Sequence, residues 1–125
     1  MPVGTREAIF AWLRARSDGD YRRLAELTAS GALWESPVAG TAEGRDAVVE
    51  NVREGFEEVD WFSSETLALE CRGDRGIAIV HNTGARNGEA LDSLQTMFIR
   101  VSEGPVVEVK IAVDDESAVE SFWSA

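Results

Sequence analysis

The sequence predicts an α+β fold in which N-terminal helices pack in a curved, mixed or antiparallel sheet. Apolar residues recur at helical spacing in the first half of the chain, and the period becomes strand-like from about residue 60. Turn signals then separate the strand candidates at short intervals. Helices followed by sequential hairpins favour this class over a parallel βαβ sheet. A twisted sheet that curls over helices leaves a cavity at its open end.

Three helices are predicted before the change of period. Residues 5–17 form the first, with Thr5 as its cap and with one face made of Ile9, Trp12, Leu13 and Arg16. Asp20 caps a second helix, which ends at Ser30-Gly31. The third helix lies near 45–57, and we expect Ala47, Val48, Val52 and Phe56 to face inward.

The strand predictions begin with a short segment, Ala32–Ser36, that Pro37 stops before a loop bracketed by Gly40 and Gly44. The longer strands are 64–71, 76–86, 92–101 and 106–113. Their turns are Arg72-Gly73-Asp74, Asn87-Gly88 and Glu103-Gly104, and Asn-Gly is the strongest short hairpin signal. Asp114 or Asp115 caps a final short helix with an apolar edge.

Length and composition predict one domain spanning 1–125, because 125 residues with 44% apolar and 28% charged side chains suit a globular chain. The net charge of −11 argues against nucleic acid and anionic membranes as partners. Eleven arginines against one lysine, Lys110, are typical of a GC-rich bacterial genome. The first seven residues lack the features of a signal peptide, so we expect a cytoplasmic protein.

Cysteine and histidine are too few for a metal cluster or a disulfide. Cys71 is the only cysteine and lies in an alternating apolar stretch, which indicates a buried core thiol rather than a nucleophile. His81 is the only histidine. We therefore expect no metal site.

The order of several short motifs resembles the NTF2-like superfamily, and within it the SnoaL-like and ketosteroid-isomerase-related proteins. The first motif is Trp34-Glu35-Ser36-Pro37-Val38-Ala39-Gly40, which Gly44-Arg45-Asp46-Ala47-Val48 follows. Later matches are Asp18–Tyr21, His81–Gly88, Phe98–Val109 and Asp114–Trp123. The resemblance covers nearly the whole chain and implies a cone-shaped α+β barrel with a deep apolar pocket. It also implies a homodimer formed through the outer face of the sheet.

The isomerase mechanism itself does not transfer to this chain. It needs a carboxylate base and two oxyanion donors, a tyrosine and a protonated aspartic acid. By alignment these three positions are Ser36, Trp12 and Met97, so only Trp12 keeps an N–H donor. SnoaL-type cyclases instead use an aspartate near the end of the last strand, and Asp114 falls close to that position. The alternative role for Asp114 is to cap the last helix.

The resemblance also predicts a substrate-binding set. Its members are Trp12, Trp34, Ser36, Trp61, Asn82, Arg86, Gln95, Met97 and Ile111. Each has a structural alternative: the amides and Ser36 can satisfy each other or the backbone, Arg86 can lie on an exposed rim, and the tryptophans can pack in the core. His81 is a candidate general base, but strict alternation from Asn82 points it outward, toward the implied dimer face. A β-bulge in this strand would reverse that orientation.

Two functions therefore remain open. The first is a SnoaL-like isomerase, cyclase, dehydratase or hydrolase that acts without a cofactor on a small, largely apolar or polycyclic metabolite. Asp114 or His81 moves the proton in that case, and Asn82, Gln95 or Trp12 orients an oxygen. The second is a non-catalytic ligand-binding or dimerisation module, which the loss of all three isomerase groups favours.

Overall fold

A computed structural model describes residues 4–38 and 40–125 as helices packed on one six-stranded sheet. The helices are α1 (Thr5–Asp18), α2 (Tyr21–Glu26), α3 (Arg45–Glu57) and α4 (Glu116–Ser124). The strands are β1 (Thr28–Ser36), β2 (Gly40–Glu43), β3 (Trp61–Arg72), β4 (Arg75–Arg86), β5 (Glu89–Val101) and β6 (Val106–Val113). Ala39 of the first family motif, and the start of the segment compared with signal peptides, lie outside the described residues.

The sheet has the order β2-β1-β6-β5-β4-β3 and is mixed. β1 pairs with β6 in parallel, and the other neighbours are antiparallel. Within the described residues β2 and β3 are its two edges, so the predicted cone is open rather than a closed barrel. Register shifts between Thr66 and Ala68 and between Arg100 and Val101 interrupt regular pairing, and such irregularities bend strands.

Periodicity predicted α3 and β6 with the bounds that the structure has, whereas the segment between α2 and α3 differs from the prediction. α2 ends at Glu26 instead of continuing to Ser30-Gly31. β1 starts at Thr28 because the start of β6 binds there: the Val106 amide donates to the Leu27 carbonyl oxygen over 2.9 Å. The predicted loop at 40–44 contains β2, which pairs with β1 as a short edge strand.

Several ends of elements also differ. Thr5 does not cap α1: Gly4 is the N-cap, and the Thr5 hydroxyl donates to the Gly73 carbonyl oxygen at 2.7 Å. β3 and β5 begin three residues earlier than expected, because pairing with β4 extends to their first residues. Asp115, not Asp114, caps α4 by accepting from the Ala118 amide.

The two faces of the sheet have different environments. On the inner face, α1 buries Ile9 and Trp12 against a core that includes Val80, Met97 and Ile99. Cys71 is half-buried and packs against this core. The outer face leaves four large apolar side chains between 38% and 47% exposed: Ile77, Ile79, Leu94 and Phe98. Alternation along β4 thus separates the core side from a second apolar surface.

Candidate functional site

A cavity of about 520 Å³ lies between α3, α4 and the inner face of the sheet. Ligand pockets for small molecules fall in this size range. Much of the wall is apolar or aromatic, and its larger members are Trp34, Phe56, Phe62, Leu91, Ile111, Val119 and Trp123. The polar side chains that line it from α1 and the strands are Arg16, Ser36, Asn82, Ser93 and Gln95.

Aromatic rings form a continuous side of this cavity. The rings of Phe56 and Phe62 meet edge to face with centroids 5.0 Å apart, and Phe62 lies 6.3 Å from Trp123. These three rings come from α3, β3 and α4, so the fold brings together residues far apart in the chain. A wall of this kind suits a flat, apolar ligand.

Asn82 and Gln95 form an amide pair on the inner face of β4 and β5. Both are buried, and the Asn82 Nδ2 donates to Gln95 Oε1 over 3.1 Å. Asn82 Oδ1 and Gln95 Nε2 are left buried without a partner. Turning both amides over would exchange the atoms, and the pair would still present one free donor and one free acceptor. Both residues belong to the cavity wall, and the pair carries one free donor and one free acceptor there in either orientation.

Trp34 contributes a third unpartnered group. Its ring is 5% exposed and tilted against Trp12, with centroids 6.4 Å apart. The Trp34 Nε1 is buried and has no hydrogen-bond acceptor, whereas the Trp12 Nε1 donates to Thr28 Oγ1 at 3.0 Å. Of these two buried indoles, Trp34 lines the cavity and has the N–H group without an acceptor.

Arg16 places a positive charge at the cavity. It continues the buried face of α1 and is only 7% exposed. Its Nη1 donates to Ser64 Oγ at 3.0 Å, and no carboxylate within the described residues lies within 4.0 Å of its guanidinium nitrogens. Burial lowers the pKa of Arg16 to about 10, which leaves the guanidinium charged at neutral pH. Sequence reasoning placed Arg16 on the apolar helix face without assigning it to the site, although a charge on such a face was the available signal.

Ser93 connects the cavity wall to Asp114. Its hydroxyl donates to Asp114 Oδ1 at 2.9 Å. Asp114 is exposed at the end of β6 and does not line the cavity. Its carboxylate therefore reaches the cavity only through the Ser93 hydroxyl. Sequence reasoning did not single out Ser93, because its role depends on strand register.

His81 lies on the outer face of the sheet, opposite to the cavity. Its side chain is 34% exposed, and its Nε2 lies 2.6 Å from Asp92 Oδ1. Since Asn82 faces inward, alternation turns His81 away from any ligand in the cavity.

Among the expected substrate-binding residues, Trp34, Ser36, Asn82, Gln95 and Ile111 line the cavity. The other four do not. Trp12 and Met97 are fully buried in the core, and Trp61 is 53% exposed at the start of the edge strand β3. Arg86 donates to the backbone carbonyls of Glu58, Phe122 and Trp123, which makes it an anchor for α4. Core packing and edge position, which sequence spacing does not reveal, explain these differences.

The rim of the cavity is acidic. Glu50, Glu54 and Glu58 line it from α3 and the segment after it. Arg53 pairs with Glu50, and Arg86 lies 3.9 Å from Glu58, so two of these charges are partly compensated. No group of three or more histidine, cysteine, aspartate or glutamate side chains among residues 4–38 and 40–125 converges as metal ligands would.

The family model described as SnoaL-like domain matches residues 9–109 of this chain. No curated protein is significantly similar in sequence. Among solved structures, Bal32a from a soil-derived mobile gene cassette is 27% identical, with a TM-score of 0.90 and 95% of each chain covered. An NTF2-like protein from Burkholderia xenovorans LB400 has 17% identity and a TM-score of 0.79 over 94% of each chain.

TerC, co-crystallised with polyporic acid, is 15% identical, with a TM-score of 0.83 over 97% of this chain and 98% of TerC. Other similar structures have ketosteroid isomerase-like and SnoaL-like polyketide cyclase folds. The predicted NTF2-like α+β fold is therefore confirmed. In the described part of the chain, no helix is both long and apolar enough to cross a membrane.

Proposed function

The chain belongs to the family of SnoaL-like domains, and on that premise we propose that its cavity binds a small, largely apolar metabolite and moves a proton on it without a cofactor. One observation carries the proposal: three buried polar atoms without partners, on Trp34, Asn82 and Gln95, belong to residues of one cavity wall. An unsatisfied buried donor or acceptor costs about 1–3 kcal/mol. Ligand hydroxyl groups, which both donate and accept, would satisfy all three atoms, whereas a carbonyl oxygen would satisfy only the two donors.

The wall chemistry suggests the kind of ligand. The rings of Phe56, Phe62 and Trp123 favour a flat aromatic or polycyclic body. The N–H groups of Trp34 and of the amide pair are suited to a carbonyl or hydroxyl oxygen. Donors held in place at an oxygen that gains negative charge are a common means of lowering a reaction barrier.

The proton would leave through Ser93 to Asp114. As the proton departs from a ligand C–H that is α to a carbonyl and lies next to Ser93, the serine oxygen accepts it and the serine hydroxyl proton passes to Asp114 Oδ1. The electron pair stays on the ligand, where the donors of Trp34 and the amide pair stabilise the resulting enolate. This assignment favours Asp114 over His81, because His81 lies on the other face of the sheet. The isomerase mechanism is not involved, since Trp12 spends its donor on Thr28 and Met97 is in the core.

The test measures exchange of the α-protons of 2-tetralone, an apolar bicyclic ketone, in deuterated buffer by mass spectrometry. We expect exchange above the buffer rate, and a loss of about 10²–10⁴-fold in Ser93→Ala and in Asp114→Asn with little change in binding. Asp92→Asn, an exposed carboxylate on the outer face, is the control and should retain the rate.

A non-catalytic binding module is the second candidate. The exposed position of Asp114, away from the cavity wall, favours it. Binding of 2-tetralone with exchange no faster than in buffer, or with exchange unaffected by both variants, would refute the enzyme and support this alternative.

The proposal includes a homodimer formed through the outer face of the sheet, in the cytoplasm of a bacterium. Its support is the exposed apolar surface made by Ile77, Ile79, Leu94 and Phe98. These side chains come from β4 and β5, two adjacent inner strands of the sheet, so a second copy would cover that part of the face. His81 and Asp92 lie on the same face and would belong to this interface.

A further inference from the structure

Arg16 indicates the charge of the ligand. We infer that the metabolite bound in the cavity carries a carboxylate, which pairs with the buried guanidinium of Arg16. The inference rests on the proposed function, because it assigns a chemical class to the ligand of the same cavity.

Burial of Arg16 without a carboxylate partner is the first step. A buried ion is costly unless it is paired and hydrogen-bonded. Here the whole residue is 7% exposed, and the guanidinium has the neutral hydroxyl of Ser64 as its hydrogen-bond acceptor. The last turn of α1 favours a cation, but this effect is small compared with the cost of desolvating an ion. Within the described residues, the counter-charge of Arg16 is missing.

The position of Arg16 is the second step. Arg16 lines the cavity itself, so the missing counter-charge can come from a ligand. Ser64, its partner, is paired with Asn82 across β3 and β4, and Asn82 is paired with Ser93 across β4 and β5. The cation therefore lies at the end of a polar row that includes Asn82, one member of the amide pair. A planar guanidinium has more donors than Ser64 uses, and its geometry matches a carboxylate.

The acidic rim of the cavity does not prevent a carboxylate from binding at Arg16. Glu50 and Glu58 face arginines, and the net charge of −11 belongs mainly to solvated side chains. Exposed charges are screened by salt over about 8–10 Å, whereas a buried pair is screened much less. Salt therefore screens the attraction between buried Arg16 and a ligand anion less than it screens the repulsion from the exposed glutamates.

The test compares two probes of the same shape, 2-naphthoate and 2-naphthamide, by titration calorimetry at neutral pH. We expect the wild-type chain to bind the acid at least about tenfold more tightly than the amide. Arg16→Met should abolish that preference and leave amide binding within about threefold, and Arg16→Lys should keep part of it. Arg14→Met, an exposed position on the same helix, is the matched control and should keep the full preference.

A second measurement excludes a purely structural role for Arg16. If its charge serves the ligand, Arg16→Met should melt at the same temperature as the wild type or higher, because an unpaired buried ion has been removed. A lower melting temperature together with an unchanged acid preference would overturn the inference. Equal affinity of the wild type for acid and amide would also overturn it while leaving the proposed function standing. Failure of both probes to bind would count against the proposed function itself.

Discussion

At the scale of residues, the buried amide pair has the clearest energetic consequence. Asn82 and Gln95 spend one hydrogen bond on each other and keep one donor and one acceptor for the cavity. The apolar neighbours of this pair, such as Val80 and Met97, cannot satisfy either atom. The pair therefore lowers the stability of the ligand-free protein, and binding of a ligand would explain its presence.

A double-mutant cycle of this pair tests that view. Asn82→Leu should cost about 1–3 kcal/mol of unfolding free energy, because it leaves Gln95 buried with neither amide atom paired. Gln95→Leu should have a similar cost, and the double variant should cost less than the sum of the two. Urea unfolding of the four proteins measures the coupling.

The control cycle joins Gln95→Leu to Asn87→Ala, since Asn87 lies in an exposed turn and bonds to the Ala125 carbonyl oxygen instead. That pair should be additive. Additivity of the Asn82 and Gln95 variants would contradict a bonded pair.

At the scale of elements, α4 forms one side of the cavity, and hydrogen bonds from the sheet hold it in place. It closes one side with Val119 and Trp123, while Phe122 packs with Leu91 in a small separate cluster. Arg86 at the end of β4 donates to the carbonyls of Phe122 and Trp123 in the last turn of the helix. A cation at a helix C-terminus satisfies carbonyls that have no partner within the helix. The position of α4 therefore depends on a side chain of the sheet.

Removal of this anchor should loosen α4 first. Arg86→Met is expected to cost about 1–3 kcal/mol, since it leaves several backbone acceptors without their charged donor. Hydrogen exchange should speed up in α4 and in the segment after α3 more than in β5, and 2-naphthamide should bind more weakly. Arg75→Met, on an exposed arginine, is the control. Uniform loss of protection across the sheet would argue against a local anchor.

At the scale of the whole molecule, the outer face of the sheet is apolar while the rest of the surface is mainly acidic. The net charge of −11 keeps most of the exterior acidic, yet the outer face of the sheet presents rows of apolar residues. Phe98 is opposite Ile77 and Lys110, and Ile79 is opposite Thr96. Soluble monomers rarely expose large apolar patches, and such patches usually mark interaction sites. We expect a second copy of this chain to cover the patch.

Phe98→Lys should convert the dimer into a monomer. Burial of a phenylalanine contributes about 1.5–3 kcal/mol, so replacing two copies of it with charges should weaken dimerisation by well over tenfold. Sedimentation velocity over a concentration series measures the shift. Phe10→Lys is the matched control, because Phe10 is 52% exposed on α1 and lies away from this face. A wild-type monomer, or an equal effect of Phe10→Lys, would contradict the proposed interface.

Much of the fold could be predicted from the sequence because it depends on local signals. Helical spacing defined α3, the alternation after residue 105 defined β6, and Asn87-Gly88 formed its turn with the positive φ angles such turns need. Between Thr28 and Glu43 the sequence predicted only the strand Ala32–Ser36. The extended conformation of 28–31 and of β2 could not be predicted, since it depends on pairing with β6, which lies far along the chain, and with β1. Local propensity favoured a helix end and a loop there, and pairing overrode it.

The candidate site, too, was predictable in part from the sequence and was decided in part only by the tertiary structure. The family resemblance placed Asn82, Gln95 and Ile111 on the cavity side, where they are found, whereas strand alternation alone left open whether Asn82 or His81 faces the cavity. Only the tertiary structure decided which inward residues border empty space and which are packed solid, as Trp12 and Met97 are. It alone brought Arg16, Ser93 and Trp123 to one cavity, because alternation is a property of one strand, whereas a cavity is defined by the elements that surround it.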